Sequence, residues 1–109
     1  NVYADKSKIS EVLVDRYFDL TLRSGNRQAF VDRIKVANDS SYHKQINRIQ
    51  QPTLVLWGEK DSLITITSAY QFHHDLPNNT LVFLKNSGHV PMEESPVESL
   101  KAVLSFIQK

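Results

Sequence analysis

Two residues in the C-terminal half of the chain are suited to proton transfer, and each follows a short apolar run. Asp61 comes four residues after Trp57, which ends the first run, and His89 comes five residues after Leu84, which ends the second. An aspartate can hold one imidazole nitrogen by a hydrogen bond, fix the tautomer, and stabilise the charge that forms when the other nitrogen takes a proton. The pair therefore predicts the acid and base of a triad, if the fold brings the two side chains together.

The nucleophile that would complete such a triad is absent from the sequence. A serine nucleophile of this kind lies in G-x-S-x-G, a sharp turn between a strand and a helix. The chain has only Gly25, Gly58 and Gly88, and no two of them have that spacing. It has no Cys, which excludes a thiol nucleophile, a disulfide framework and a Cys-based metal site within these residues. We expect the chain to lack hydrolytic activity on its own.

The elements that must position Asp61 and His89 are two strands with helices beside them. Residues 53–57 and 80–84 are apolar at successive positions, which is typical of strands covered on both faces in a parallel sheet. Residues 66–76 and 96–109 have helical spacing of apolar side chains, and Ser95 with Glu98 predicts a capping box. The order predicts a βαβα unit, in which functional residues follow the carboxyl ends of the strands.

The first half of the chain has a mixed polar and apolar pattern that is typical of helices. We therefore predict two segments, a cap-like helical one at 1–50 and the βαβα unit at 51–109. Ser10 is the predicted N-cap of the first helix, Gly25 its C′ residue and Asn26 the cap of the second. A break is expected at residues 38–41. Four aromatic side chains could line a pocket, although an aromatic stripe at helical spacing is more often core: Tyr17, Phe18, Phe30 and Tyr42.

Composition narrows the classes of partner. The net charge is +1 and no basic block stands out, so we expect no nucleic acid as a partner. No apolar run approaches the length of a membrane span. The chain begins with Asn1 inside ordinary domain sequence, so we expect its natural N-terminus and any targeting signal to lie elsewhere. The sequence leaves the compartment open, with the cytoplasm as the default.

For most of the remaining polar residues we expect a structural role and not a catalytic one. Asp75 ends a predicted helix beside a turn, where capping or solvation is the usual role. His73 and His74 are adjacent on a helix and point about 100° apart, so they cannot easily share a metal ion; we expect no metal site, with His73 partly buried and His74 exposed. Glu59 and Lys60 are expected to face solvent, and Ser62 to cap a helix or turn. Glu93 and Glu94 precede the last helix and favour the positive end of its dipole, and His43 lies in a polar stretch with no partner pattern.

Three stretches together resemble the C-terminal third of an α/β-hydrolase. They are IQQPTLVLWGEKD at 49–61, LPNNTL at 76–81 and SGHVPMEESP at 87–96, and the spacing of 28 residues between Asp61 and His89 also matches. The resemblance covers residues 46–109 and implies that Asp61 is the triad acid and His89 the base, with no cofactor. It also places five side chains near the mouth of a substrate pocket: Leu63, Ile64, Val90, Pro91 and Met92.

The same resemblance implies what the chain does not contain. The nucleophile, which could be Ser, Asp or Cys, and both oxyanion-hole amides would lie upstream, and residues 1–45 resemble, more weakly, the end of a helical cap. Ester, carbon–carbon, epoxide and haloalkane cleavage all occur on this framework, so the bond cleaved stays open. We take hydrolysis of a small, fairly apolar ester as the default.

The sequence leaves two alternatives to a single-chain enzyme open. The chain could belong to a non-catalytic receptor or scaffold with the same fold, or it could be one half of a two-chain enzyme. A nucleophile elbow in upstream sequence would separate the first from an enzyme. In every case two strands with unpaired edges need a partner, which we expect to be the missing N-terminal half of the core or another copy of the chain.

Overall fold

The computed structural model describes residues 2–36 and 40–108. They fall into two compact units, one within Asn1–Lys8 and Ile46–Lys109 and the other within Ile9–Gln45. Residues 2–8 thus belong to the same unit as the strands, a long-range association that the sequence did not indicate. The expected break at 38–41 lies partly outside the described residues, and the boundary between residues 50 and 51 stays a prediction.

The predicted parallel strand pair is confirmed. Strand β1 is Thr53–Gly58 and strand β2 is Asn79–Leu84, each within one residue of the expected bounds. The register runs from Thr53 opposite Asn79 to Gly58 opposite Leu84. Because the two carboxyl ends are level, the loops that carry Asp61 and His89 leave the sheet side by side.

The two strands are connected by a helix, Ile66–Asp75, which is α3 in chain order and confirms the predicted crossover helix. Its Ala69 is fully buried. The side-chain amide of Asn79 donates to the carbonyls of His73 (3.0 Å) and Leu76 (2.7 Å). The expectation that His73 is partly buried is wrong: its ring is exposed, and its Nδ1 lies 2.6 Å from Asn79 Oδ1. Asn79, the first residue of β2, therefore caps the C-terminal end of α3.

Two helices follow β2. The short helix α4 is Pro91–Glu94, which the sequence did not predict, and α5 is Pro96–Ile107. The predicted capping box at Ser95 is wrong because its side chain makes no capping hydrogen bond. The Ser95 hydroxyl instead accepts a hydrogen bond from the Ser87 hydroxyl at 2.7 Å, which ties the start of α5 to the loop after β2.

The apolar stripe of α5 was expected to be buried and is exposed. A two-stranded sheet is too narrow to cover it, and among the described residues of this helix only Ser99 is buried. The Ser99 hydroxyl donates to Pro91 O at 3.0 Å. Five apolar side chains along the helix remain between 39% and 65% exposed: Val97, Leu100, Val103, Leu104 and Ile107.

The second unit is a helical hairpin of α1, Glu11–Leu22, and α2, Asn26–Val36. The predicted N-cap is confirmed, since Ser10 Oγ accepts from Leu13 N at 3.2 Å. Gly25 has φ 85° and lies directly before α2, where its carbonyl accepts from Ala29 N, while the Asn26 side chain donates back to Leu20 O at 2.7 Å. The assignment of Gly25 as the C′ residue and Asn26 as a cap is thus corrected. Short 3₁₀ helices occupy Lys6–Lys8 and Ser40–Arg48.

Across residues 2–36 and 40–108, every helix falls short of the length or the hydropathy that crossing a membrane requires.

Candidate active site

Asp61 and His89 meet just beyond the carboxyl ends of β1 and β2. The Oδ2 atom of Asp61 lies 2.8 Å from Nδ1 of His89. The Asp61 side chain is only 5% exposed, whereas that of His89 is 36% exposed. A buried carboxylate thus holds one ring nitrogen and leaves Nε2 as the nitrogen available for proton transfer, the geometry of a base oriented by an acid.

The Asp61 carboxylate is fixed by its own loop as well as by His89. Its Oδ1 accepts hydrogen bonds from the backbone amides of Leu63 at 2.8 Å and Ile64 at 3.0 Å. Burial alone would raise the pKa of Asp61. The hydrogen bonds from Ile64, His89 and Leu63 outweigh it and hold the pKa below its ordinary value. The acid is therefore charged at neutral pH and ready to stabilise an imidazolium.

This lowered pKa predicts how stability depends on pH. A carboxyl whose pKa is lower in the folded state contributes stability that is present above its unfolded pKa and is lost as pH falls through its folded pKa. Urea unfolding between pH 6 and pH 2 should therefore show a decline, below about pH 4, that is smaller in Asp61→Asn. Asp5, whose pKa is lowered by its hydrogen bonds from Ser7, adds to the decline in both proteins. Equal slopes in the two would contradict the prediction.

Close packing of two backbones brings the loops together. A Cβ at Gly58 would lie 2.1 Å from Gly88 O and 2.4 Å from Ser87 O. The Lys60 amide donates to Ser87 O at 3.0 Å, and the Glu59 amide donates to Leu84 O at 3.0 Å. The end of β1 is therefore in direct contact with the peptide that precedes His89, and only glycine fits at position 58.

A buried acid that the sequence places only near the positive end of the last helix supports the other side of the His89 loop. Glu94 is 2% exposed, and its Oε1 accepts from Gly88 N at 2.6 Å. Its Oε2 accepts from Ala4 N at 2.8 Å and Asp5 N at 3.2 Å. Nothing local distinguishes Glu94 from Glu93 in the sequence, because two of the three donors lie about 90 residues away.

The five residues expected near a pocket mouth occupy these same loops. Leu63, Ile64 and Met92 are exposed, Val90 is half-buried, and Pro91 is buried as the first residue of α4. The contribution of all five to a substrate pocket stays a prediction.

The alternative acid and the histidine pair are placed elsewhere. Asp75 Oδ1 lies 2.8 Å from His74 Nδ1 and not against His89. His74 is exposed, as expected. Within the described ranges, no three His, Asp or Glu residues are grouped closely enough to hold a metal ion.

Three of the four aromatic candidates lie in the helical hairpin. Tyr17, Phe18 and Phe30 are 43%, 61% and 66% exposed. Tyr17 and Phe30 border a mainly apolar groove of about 710 Å³ between α1 and α2, whereas Phe18 is not among its lining residues. The side chain of Tyr42 lies outside the described residues.

A family comparison agrees with the geometry. The model of the alpha/beta hydrolase fold family matches residues 19–96, which is more than half of the chain. The chain belongs to the α/β-hydrolase fold family. The resemblance drawn from the three sequence stretches is confirmed, and so is the fold class, the C-terminal part of an α/β-hydrolase fold with two parallel strands.

Individual relatives of this α/β-hydrolase chain include named hydrolases. It is 30% identical over 108 residues to the uncharacterized hydrolase YugF of Bacillus subtilis, covering 99% of the chain and 40% of that protein. It is 22% identical over 102 residues to the monoacylglycerol lipase ABHD6 of Homo sapiens, covering 92% of the chain and 30% of that protein. The chain thus spans well under half the length of either relative.

Solved structures agree on the fold. The esterase EaEST from Exiguobacterium antarcticum superposes with a TM-score of 0.83 over 99% of this chain and 39% of that one, at 18% identity. At this identity the likeness establishes the fold and leaves the reaction to be argued from the site.

Proposed function

We propose that the chain supplies the acid and the base of a nucleophile–His–Asp triad in a hydrolase that cleaves small, fairly apolar esters. The observation that carries the proposal is the 2.8 Å contact between Asp61 Oδ2 and His89 Nδ1 at the ends of two parallel strands. Support at the family level comes from the names of the two relatives, a hydrolase and a lipase.

In the proposed reaction His89 accepts a proton and passes it on once in each of two half-reactions. Its Nε2 takes the proton of the attacking hydroxyl while that oxygen bonds to the ester carbonyl carbon. The same proton passes to the leaving alkoxide as the carbon–oxygen bond breaks, which leaves an acyl-enzyme. In the second half of the reaction, Nε2 takes a proton from water as the water oxygen bonds to the acyl carbon. That proton passes to the nucleophile oxygen as its bond to the acyl group breaks, and the carboxylic acid is released. Asp61 stays ionised throughout and stabilises the imidazolium.

The nucleophile and the oxyanion-hole donors belong, in this proposal, to residues outside the 109. No G-x-S-x-G occurs in the sequence, and the groups of a triad act as a unit, so a base with its acid gives little rate enhancement alone. The proposed partner is the N-terminal half of an α/β-hydrolase core. It would also pair the free strand edges and cover the exposed apolar stripe of α5. The helical hairpin is proposed to be part of a cap segment.

An assay of the purified chain with activated esters of short fatty acids tests whether the nucleophile lies outside these residues. We expect turnover no faster than that of free imidazole, because the sequence has no nucleophile elbow to present an activated hydroxyl to His89. The His89→Ala variant is the matched control. Turnover well above imidazole that disappears in His89→Ala would show that the chain holds its own nucleophile.

The complete enzyme, meaning this chain together with the part that carries the nucleophile, is assayed with the same esters. Hydrolysis that requires His89 supports the proposal. A complete protein that folds and binds esters without cleaving them would instead support a non-catalytic receptor.

A further inference from the structure

We propose that Glu94 is a positioning residue for His89, acting through a buried carboxylate that joins the His89 loop to the N-terminal segment. The inference rests on the proposed role of His89 as the base and adds a residue that neither the triad pattern nor the sequence indicated. Glu94 exerts its effect through the backbone on either side of His89, not through contact with the reacting groups.

Glu94 is a carboxylate removed from water whose side-chain oxygens face backbone amides. It is 2% exposed. One oxygen accepts from Gly88, the residue directly before His89, and the other accepts from Ala4 and Asp5. Burying a carboxylate is unfavourable unless hydrogen bonds compensate. A site that directs three amide donors at one buried acid is therefore built around that acid.

The segment that Glu94 holds also contacts His89 directly. Val2 O accepts a hydrogen bond from the His89 backbone amide at 2.8 Å. A Cβ on Gly88 would lie 2.7 Å from Ala4 N, 2.8 Å from Val2 O and 2.9 Å from Glu94 Oε1. The backbone at 88–89 is thus enclosed by the N-terminal segment and by Glu94, and it cannot shift without displacing both.

Two further bonds tie the same segment to α4. The Tyr3 hydroxyl donates to Glu93 Oε2, and Lys8 Nζ donates to the Glu94 carbonyl. These bonds attach the segment but do not reach the residue before His89. The Glu94 side chain does connect the segment with the Gly88 amide, which is why we assign the positioning role to Glu94 and not to Glu93.

The chemistry of the side chain explains why a carboxylate is needed. Glu94 presents acceptors on both oxygens, and both face N–H donors. A glutamine has one acceptor oxygen and an NH₂ group that can only donate. In Glu94→Gln the side-chain NH₂ group must therefore face a backbone N–H donor, either that of Gly88 or those of Ala4 and Asp5.

The experiment compares Glu94→Gln, Glu94→Asp and Glu98→Gln in the complete enzyme. We expect Glu94→Gln to lower kcat about 100-fold with little change in KM, since a displacement of the base of about 1 Å has an effect of that order. Glu94→Asp keeps two acceptor oxygens and should retain more activity than Glu94→Gln. Glu98→Gln removes an exposed charge in the first turn of α5 and should leave kcat unchanged.

A second readout separates positioning from simple destabilisation. The proton shared by His89 Nδ1 and Asp61 Oδ2 should give a far-downfield NMR resonance, and we expect it to shift or broaden in Glu94→Gln but not in Glu98→Gln. A folded Glu94→Gln protein with unchanged kcat and an unchanged resonance would overturn the proposal, whatever its melting temperature.

Failure of this inference and failure of the proposed function give different results. If the complete protein hydrolyses nothing, the proposed function fails, and the resonance still reports whether Glu94 positions His89. If Glu94→Gln does not fold, hydrogen exchange of the backbone amides in the unsubstituted protein tests whether Glu94 holds Gly88 and Ala4. Slow exchange at Gly88 and Ala4 supports the bridge, and exchange at the rate of a free loop overturns it.

Discussion

Replacing Asp61 by Asn in the complete enzyme is expected to lower kcat by about 10⁴-fold, the loss typical of a triad acid changed to its amide. The Asn side chain can still accept from Leu63 and Ile64 through its oxygen, so the loop should keep its fold. Its NH₂ group then faces His89 Nδ1 and makes that nitrogen an acceptor. The proton moves to Nε2, where a base cannot accept another.

The matched control is Asp75→Asn. Asp75 is also an aspartate that contacts a histidine, but its partner is His74 on the same helix. We expect nearly full activity in Asp75→Asn, measured as kcat and KM on the same ester. A large loss in Asp75→Asn with activity retained in Asp61→Asn would show that the acid is misassigned.

Gly58→Ala should destabilise the fold severely, although it adds only one methyl group. The added Cβ would lie 2.1 Å from Gly88 O and 2.7 Å from the Ser87 carbonyl carbon. These are backbone atoms that cannot rotate away. Relieving the contact must separate β1 from the His89 loop, and we expect a loss of about 3 kcal/mol in the free energy of unfolding, the upper end for overpacking. Urea denaturation measures it.

Gly25→Ala is the control for Gly58→Ala. Gly25 has φ 85° with no atom near its potential Cβ, so alanine there meets conformational strain but no steric clash. That strain is about 1–2 kcal/mol. If Gly58→Ala proved no more destabilising than Gly25→Ala, the close approach of β1 to the His89 loop would be incorrect.

The sequence predicted the parts of the fold that depend on local pattern. Strands β1 and β2 were evident because buried parallel strands are apolar at successive positions. The meeting of Asp61 with His89 followed from the topology, since loops at level strand ends are neighbours. Ser10 was recognised because N-capping involves only the next few residues.

The main errors concern what lies outside the local pattern of a helix, either a contact made elsewhere or the lack of a covering layer. The capping box at Ser95 failed because its hydroxyl bonds Ser87 of the preceding loop. The sequence places Glu94 near a helix start, although its partners are Gly88 and the amides at positions 4 and 5. The stripe of α5 was assigned to a core because a helix pattern shows which face is apolar but not whether anything covers it.

The hydrogen bonds of Asn79 couple the local unfolding of helix α3 to that of strand β2. This residue begins β2, yet its side chain satisfies the carbonyls of His73 and Leu76 at the end of α3. If β2 detached, the last turn of the helix would lose those partners, and if the turn frayed, the strand would lose its anchor. Local unfolding would therefore release α3 and β2 together, as one cooperative unit of amide exchange.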